Sequence, residues 1–181
     1  MTQNVIIYLG GKIMAKKKSG LDLGKILYAI AAVLGLVAVV MLFVQAVKVP
    51  DVETALGTIK NDGGYTGLQV AFGKSEEDVK VLSFSFMALL PVLLVIAGSV
   101  LSALQMASKK GNKILDYVAV ICFVVAGVLY FIMPSFVVGA DTIVGKIAAE
   151  IDYVLAVGSI VAAICSILAG ATVLVKNLLK K

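Results

Sequence analysis

The residue types that most often carry enzyme chemistry are missing from this sequence of 181 residues. It contains no histidine, and all 16 basic residues are lysine, so arginine is absent as well. Without an imidazole there is no histidine general base and no histidine metal ligand. Without a guanidinium there is no bidentate clamp for phosphate or carboxylate. We therefore expect no catalytic, cofactor-binding or metal-binding residues, and we expect that the protein is not an enzyme.

The remaining motifs that could carry chemistry are incomplete. Cys122 and Cys165 do not form a Cys-x-x-Cys pair, and both lie in apolar stretches, so we interpret them as buried, inert thiols. The segment Gly73-Lys74-Ser75 lacks the preceding glycine of a phosphate-binding loop, because Leu68 stands at that position. The acidic run Glu76-Glu77-Asp78 is typical of a solvated loop. None of these motifs indicates an activity.

Composition indicates a protein that lies in lipid. Apolar residues make up 61% of the chain and charged residues 15%, against about 45–50% and about 25% in soluble domains. A helix needs roughly 20 apolar residues to cross a bilayer, and four segments meet this requirement: 26–47, 81–106, 114–133 and 153–175. We predict an all-α integral membrane protein, a bundle of four transmembrane helices. Within these segments only Asp116 is charged, and we expect it at the margin of the third span, with no charge at depth.

The distribution of lysine predicts the orientation of the four spans. With the N-terminus inside, the cytoplasmic segments hold eleven lysines and two acids, and the outer segments hold five lysines and nine acids. The positive-inside rule then places both termini in the cytoplasm. The exclusive use of lysine and the absence of tryptophan suggest an AT-rich coding sequence, and so the plasma membrane of a bacterium. The net charge of +5 is interpreted as facing anionic lipid, not nucleic acid.

The first residues raise the question of where translation begins. Residues 9–13 are what in-frame translation of a ribosome-binding sequence would produce, so we predict that Met14 is the start and that residues 1–13 are either a mis-annotated extension or disordered. A basic stretch before an apolar run also fits a signal peptide, with 44–46 as its cleavage site. The apolar run is longer than the roughly 7–15 residues of a signal-peptide core, so we expect an uncleaved anchor.

The segments outside the spans are expected to differ in structure. We predict a basic cytoplasmic N-terminus, a long outer loop, a short cytoplasmic loop, a second outer segment and a basic cytoplasmic tail, at 14–25, 48–80, 107–113, 134–152 and 176–181. In the long outer loop, the stretches 52–59 and 65–72 are predicted to pair as a small β-hairpin. The apolar residues of the second outer segment predict a short helix at the bilayer surface.

The fourth span carries a regular series of small residues. Gly158, Ala162, Ser166 and Gly170 recur every fourth residue, and we name this set the packing stripe. Small residues at this spacing let another helix approach closely in lipid, where no hydrophobic force acts between helices. The stripe therefore predicts helix packing, either within the four-helix bundle or between two copies in a homo-oligomer.

Two functions from different classes fit these observations. The first is a non-catalytic protein that acts by association, as a scaffold or as a subunit of a larger membrane complex. The alternative is an oligomeric small pore or transport component, whose lining could come only from the few polar residues of the spans, namely Ser99, Ser102, Gln105, Ser166 and Thr172. A membrane enzyme would have to use Ser, Cys, Tyr, Lys or loop carboxylates, and is the least favoured of the three.

Four spans with a long first outer loop resemble the claudin-type arrangement in outline. The outer loop lacks the paired cysteines and the tryptophan that characterise that group. The resemblance therefore implies no site residue for this chain, and a shared architecture does not itself imply a shared function.

Overall fold

The computed structural model describes residues 23–54, 57–59, 63–76, 78–108 and 111–179, and for 52–54 and 57–59 it describes the backbone alone. The expectations for residues 1–13 and for the translation start at Met14 lie outside this part of the chain. The same is true of most of the basic N-terminal segment at 14–25.

Helices form most of the described structure. In chain order they are α1 (Leu23–Val40), α2 (Gly67–Phe72), α3 (Phe86–Ala107), α4 (Lys113–Phe131), α5 (Ile143–Ala149) and α6 (Val157–Leu179). Two 3-10 turns, Met41–Phe43 and Met133–Phe136, follow α1 and α4. The helices α1, α3, α4 and α6 are each long and apolar enough to cross a membrane. The fold is therefore mostly helical, with four candidate spans, as the hydropathy of the sequence predicts.

The four long helices pack as a ring. Helix α1 contacts α3 and α6, and α4 contacts the same two helices from the opposite side. Consecutive spans alternate in direction, so the start of α1 and the end of α6 lie at one end of the bundle, together with the α3–α4 connection. We call this the terminal end and the opposite end the cap end. Buried Phe123 of α4 occupies the centre of the ring and faces Gly35 of α1 and Gly98 of α3.

The short strands, together with the short helices α2 and α5, form a structure at the cap end that we call the cap. Seven strands are described, β1 (Gln45–Lys48), β2 (Val52–Thr54), β3 (Gly57–Ile59), β4 (Gly64–Thr66), β5 (Lys74–Glu76), β6 (Val79–Leu82) and β7 (Val154–Leu155). Strand β1 lies at the centre of an antiparallel sheet of order β4-β1-β7, while β2 pairs with β3 and β5 with β6. Because β1 follows α1 closely and β7 leads into α6, this sheet joins the first and last spans.

Side-chain caps explain where several helices begin. The Ser85 hydroxyl accepts a hydrogen bond from the Ala88 amide at 3.4 Å at the start of α3, and Thr142 does the same for Gly145 at 3.0 Å at the start of α5. Thr66 and Gln69 form a reciprocal capping box at the start of α2. Each cap supplies an acceptor to an amide that has no partner within its own helix.

The cap end differs in detail from the sequence prediction. The stretch 65–72, predicted as a strand, is extended only through Thr66, and the capping box then starts α2. The hairpin involving 52–59 forms within that stretch, between β2 and β3, while β4 pairs with β1. Residues 45–47, predicted as the end of the first span, belong to β1. Short apolar runs do not distinguish helix from strand, which is why these boundaries were missed.

Candidate functional site

Four polar side chains meet inside the terminal end of the bundle, one from each long helix. They are Tyr28 of α1, Gln105 of α3, Asp116 of α4 and Lys176 of α6, and we call this set the polar cluster. All four are buried, with Asp116 1% and Lys176 6% exposed. Charged residues are almost never fully buried unless they are paired.

The two charged residues form the centre of the polar cluster. The Lys176 ammonium donates to Asp116 Oδ2 at 2.7 Å and to the Tyr28 hydroxyl oxygen. The Tyr28 hydroxyl donates in turn to Asp116 Oδ1 at 2.5 Å. Lys176 Nζ also lies 4.5 Å from the centroid of the Tyr28 ring, within cation–π distance. A single carboxylate and a single ammonium thus neutralise each other and connect three of the four helices.

Gln105 connects the fourth helix and the α3–α4 connection. Its Nε2 donates to Asp116 Oδ1 at 3.0 Å and to the Asn112 carbonyl at 2.5 Å, and its Oε1 accepts from the Asn112 amide at 3.1 Å. Asn112 itself caps α4 by accepting from the Ile114 amide at 3.0 Å. The cap residue of α4 therefore positions that helix so that Asp116, in its first turn, reaches the polar cluster.

The hydrogen-bonding capacity of the polar cluster is used almost entirely within the cluster. Asp116 accepts from Tyr28, Gln105 and Lys176, and both Gln105 amide hydrogens have acceptors. The third Lys176 contact, with Asn177 Oδ1 at 3.4 Å, is at the limit of a hydrogen bond. These contacts hold the ends of the four helices together.

The burial of Lys176 differs from what the sequence predicts. We expected Lys176 to begin the cytoplasmic tail, but α6 continues to Leu179 and buries Lys176 in its last turn, while Asp116 lies in the first turn of α4. A signal for this was present, because Lys176 follows Ala169 and Val173 on the buried face of α6 that also carries the packing stripe. Asp116 was the only acid within a predicted span, and a carboxylate in that position requires a partner.

A cavity of about 420 Å³ adjoins the polar cluster. Among the described residues, Tyr28, Gln105 and Lys176 of the polar cluster line it, together with Lys25. Its remaining lining residues are apolar or small: Leu23, Gly24, Leu27, Ser108, Gly111 and Leu179. No residue pattern predicts this cavity, because its lining combines residues from α1, α6 and the end of α3.

The packing stripe is buried inside a single copy of the chain. A Cβ atom at Gly158 would lie 2.6 Å from the Gln45 carbonyl oxygen and 3.0 Å from that of Met41. At Gly170 the nearest atom would be Phe123 Cβ, at 3.3 Å. Ala162 and Ser166, between these glycines, are buried as well. The stripe thus faces the bundle interior, and the prediction that it joins two copies is not tested by a single chain.

The packing stripe yields a test with an internal control. Gly158→Ala places a methyl group against two rigid backbone oxygens, so we expect the free energy of unfolding to fall by about 1–3 kcal/mol, as in other overpacked interiors. The methyl group added in Gly170→Ala would lie at ordinary or slightly short contact distances from its neighbours. This variant should therefore change the free energy of unfolding by less than about 1 kcal/mol. Unfolding in detergent micelles, followed by circular dichroism, measures both. Equal effects at the two positions would contradict the packing described.

The other motifs lie apart from the polar cluster. In the Gly73-Lys74-Ser75 segment, Gly73 has a φ of +89° and ends α2, and Lys74 forms an ion pair with Glu76. Cys122 and Cys165 are free thiols, each half-buried. In the part of the chain that the structure describes, His, Cys, Asp and Glu form no group of three or more that could hold a metal ion.

Comparison with protein-family models, with curated proteins and with solved structures finds no match for this chain. Its function is therefore inferred from the geometry of its own residues.

Proposed function

We propose that this chain is a non-catalytic membrane protein that acts by association, as a scaffold or as a subunit of a larger membrane complex. The observation that carries the proposal is that the charged groups of the polar cluster, and the hydroxyl and amide groups beside them, contact one another within one copy. The polar cluster uses its own donors and acceptors, and what remains for interaction is the surface of the bundle and the cap.

The alternative, a pore formed by several copies, lacks support from the residues that would line it. Ser102, Gln105 and Ser166 are buried within one copy. The hydroxyls of Ser102 and Thr172 donate to carbonyl oxygens of their own helices, Gly98 at 2.9 Å and Ala169 at 2.8 Å. A channel between copies would need polar groups on the outer helix faces, and these candidates point elsewhere.

Passage of solutes through one copy is disfavoured by the filled centre of the bundle. Phe123, Tyr130 and Met133 are fully buried along the path from the middle of the bundle to the cap end. Close-packed protein interiors exclude water except at polar sites with enough volume. This filling favours an associating protein over a carrier.

The cap offers the most distinctive surface for a partner. Helix α5 is held against β6, where the Thr142 hydroxyl donates to the Lys80 carbonyl at 2.6 Å and the Ala140 amide donates to Val81 O at 3.0 Å. Its outer face exposes Ile143 (81%), Val144 and Ile147. Exposed apolar residues on an ordered element can contact a partner or the bilayer surface, and the second outer segment was predicted to contain such a helix.

The orientation proposed for the chain follows from its lysines. The terminal end carries Lys25, Lys113 and Lys176 among the described residues, whereas the cap carries most of the acids. By the positive-inside rule, we place both termini in the cytoplasm and the cap outside the bacterial plasma membrane.

A membrane-impermeant amine crosslinker, applied to intact cells, tests association and orientation together. We expect an adduct formed through Lys80 and Lys146, which are exposed on the cap, and we expect Lys25 and Lys113 to remain unmodified. The variant K80Q/K146Q should form less of the adduct, and K25Q, at the opposite end, should form as much as the wild type. An adduct of twice the chain mass would identify the partner as a second copy.

Three outcomes would contradict the proposal in different ways. Modification of Lys25 or Lys113 in intact cells would reverse the orientation. Absence of any adduct for the wild type would remove the support for association. Ion conductance of the purified protein in liposomes would favour the pore instead.

A further inference from the structure

The lining of the cavity at the terminal end has two chemically distinct parts. Two lining residues are lysines, Lys25, which is exposed at the start of α1, and Lys176, which is buried. Three others are the leucines Leu23, Leu27 and Leu179. A cavity of about 420 Å³ falls within the range of small-ligand sites, of about 300–1,000 Å³. Its ligand should therefore have both a charged and an apolar part.

The charge of the cavity favours an anion. No acid is among the described residues that line it, and the nearest, Asp116, is 1% exposed and already balanced by Lys176. Among the described residues that line the cavity, no acid offsets the positive charge of Lys25. The weak contact of Lys176 with Asn177 also leaves one ammonium hydrogen that a stronger acceptor could take.

We propose that this cavity binds the phosphate headgroup of an anionic phospholipid, with the phosphate between Lys25 and Lys176 and the first acyl carbons along Leu23, Leu27 and Leu179. The three leucines distinguish this ligand from free phosphate, because free phosphate has no apolar part that could pack against them. Basic pockets between transmembrane helices are suited to such headgroups, because each lysine near the membrane surface attracts anionic lipid. This site does not depend on the proposed association.

Native mass spectrometry of the full chain in detergent tests the site directly. The probes are dioleoylphosphatidylglycerol and, at the same concentration, zwitterionic dioleoylphosphatidylcholine. We expect the wild type to retain the anionic lipid preferentially. Lys25→Gln should weaken that binding about fivefold, the change that corresponds to one lysine near the surface, and Lys25→Arg should restore it. Lys113→Gln is the matched control, since Lys113 is exposed at the same end but does not line the cavity.

The outcomes separate a specific site from general attraction. Selective loss in Lys25→Gln, with Lys113→Gln unchanged, supports the proposal. Equal losses in both variants would mean diffuse surface attraction and would overturn it, as would equal retention of the two lipids by the wild type. Binding of inorganic phosphate as tight as that of the anionic lipid would mean that the leucines contribute nothing, and would also overturn the lipid assignment.

Discussion

Replacement of Lys176 by methionine is expected to lower the free energy of unfolding by about 3–5 kcal/mol, the usual cost of removing one partner from a buried ion pair. The carboxylate of Asp116 would remain buried without its ammonium, and the Tyr28 hydroxyl would lose a donor. Denaturant titration in micelles, followed by circular dichroism, measures the change. Lys113 is an exposed lysine at the same end, so Lys113→Met should change the free energy of unfolding by less than about 0.5 kcal/mol.

A second substitution should recover much of this loss. In the double variant D116N/K176M the buried charge is gone, and an asparagine oxygen still accepts from Tyr28 and Gln105. Replacing a buried pair by neutral groups is often close to neutral in stability, so the double variant should be more stable than K176M alone. If K176M were no less stable than Lys113→Met, the polar cluster would not hold the helices together.

Phe123→Ala is expected to have the next largest effect, a loss of about 2–3 kcal/mol. The ring is fully buried, and it fills the space left by Gly35 and Gly98, where a Cβ atom would lie 3.1 Å and 3.0 Å from ring carbons. The estimate lies below the roughly 3–5 kcal/mol found for Phe→Ala in soluble cores, because lipid also solvates the ring when the helices separate. The loss that remains comes from packing, which drives helix association in bilayers.

Thermal unfolding of Phe123→Ala in micelles checks this value against a control of the same residue type. Phe86, at the start of α3, is 58% exposed, so Phe86→Ala should change the free energy of unfolding by less than about 0.5 kcal/mol. Similar losses in the two variants would mean that the centre of the ring is not packed as described.

The four spans could be predicted because hydropathy over about 20 residues is a property of each segment alone. Their ends could not, because residues 45–47 become a strand only by pairing with both β4 and β7. Hydropathy does not record such a pairing. Ala46 and Val47, which extend the apolar run of the first span in the sequence, therefore belong to a sheet in the structure.

The polar cluster could be predicted only in fragments. Asp116 was visible as an acid inside an apolar segment, and Lys176 as the first charge after one. Their partnership depends on α4 and α6 being neighbours in the ring, which requires the connectivity of the whole bundle. The cavity beside the polar cluster could not be predicted either, because its lining comes from the ends of several helices whose relative positions the residue types do not determine.

The order in which a ribosome makes these helices gives the Lys176–Asp116 pair a further consequence. Tyr28, Gln105 and Asp116 are all synthesised before Lys176, which lies 148 residues after Tyr28. Until α6 is made, Asp116 lacks the ammonium with which it pairs in the folded chain, and enclosing an unpaired carboxylate among helices is costly. We therefore expect the first three long helices to close around Asp116 only when α6 joins them.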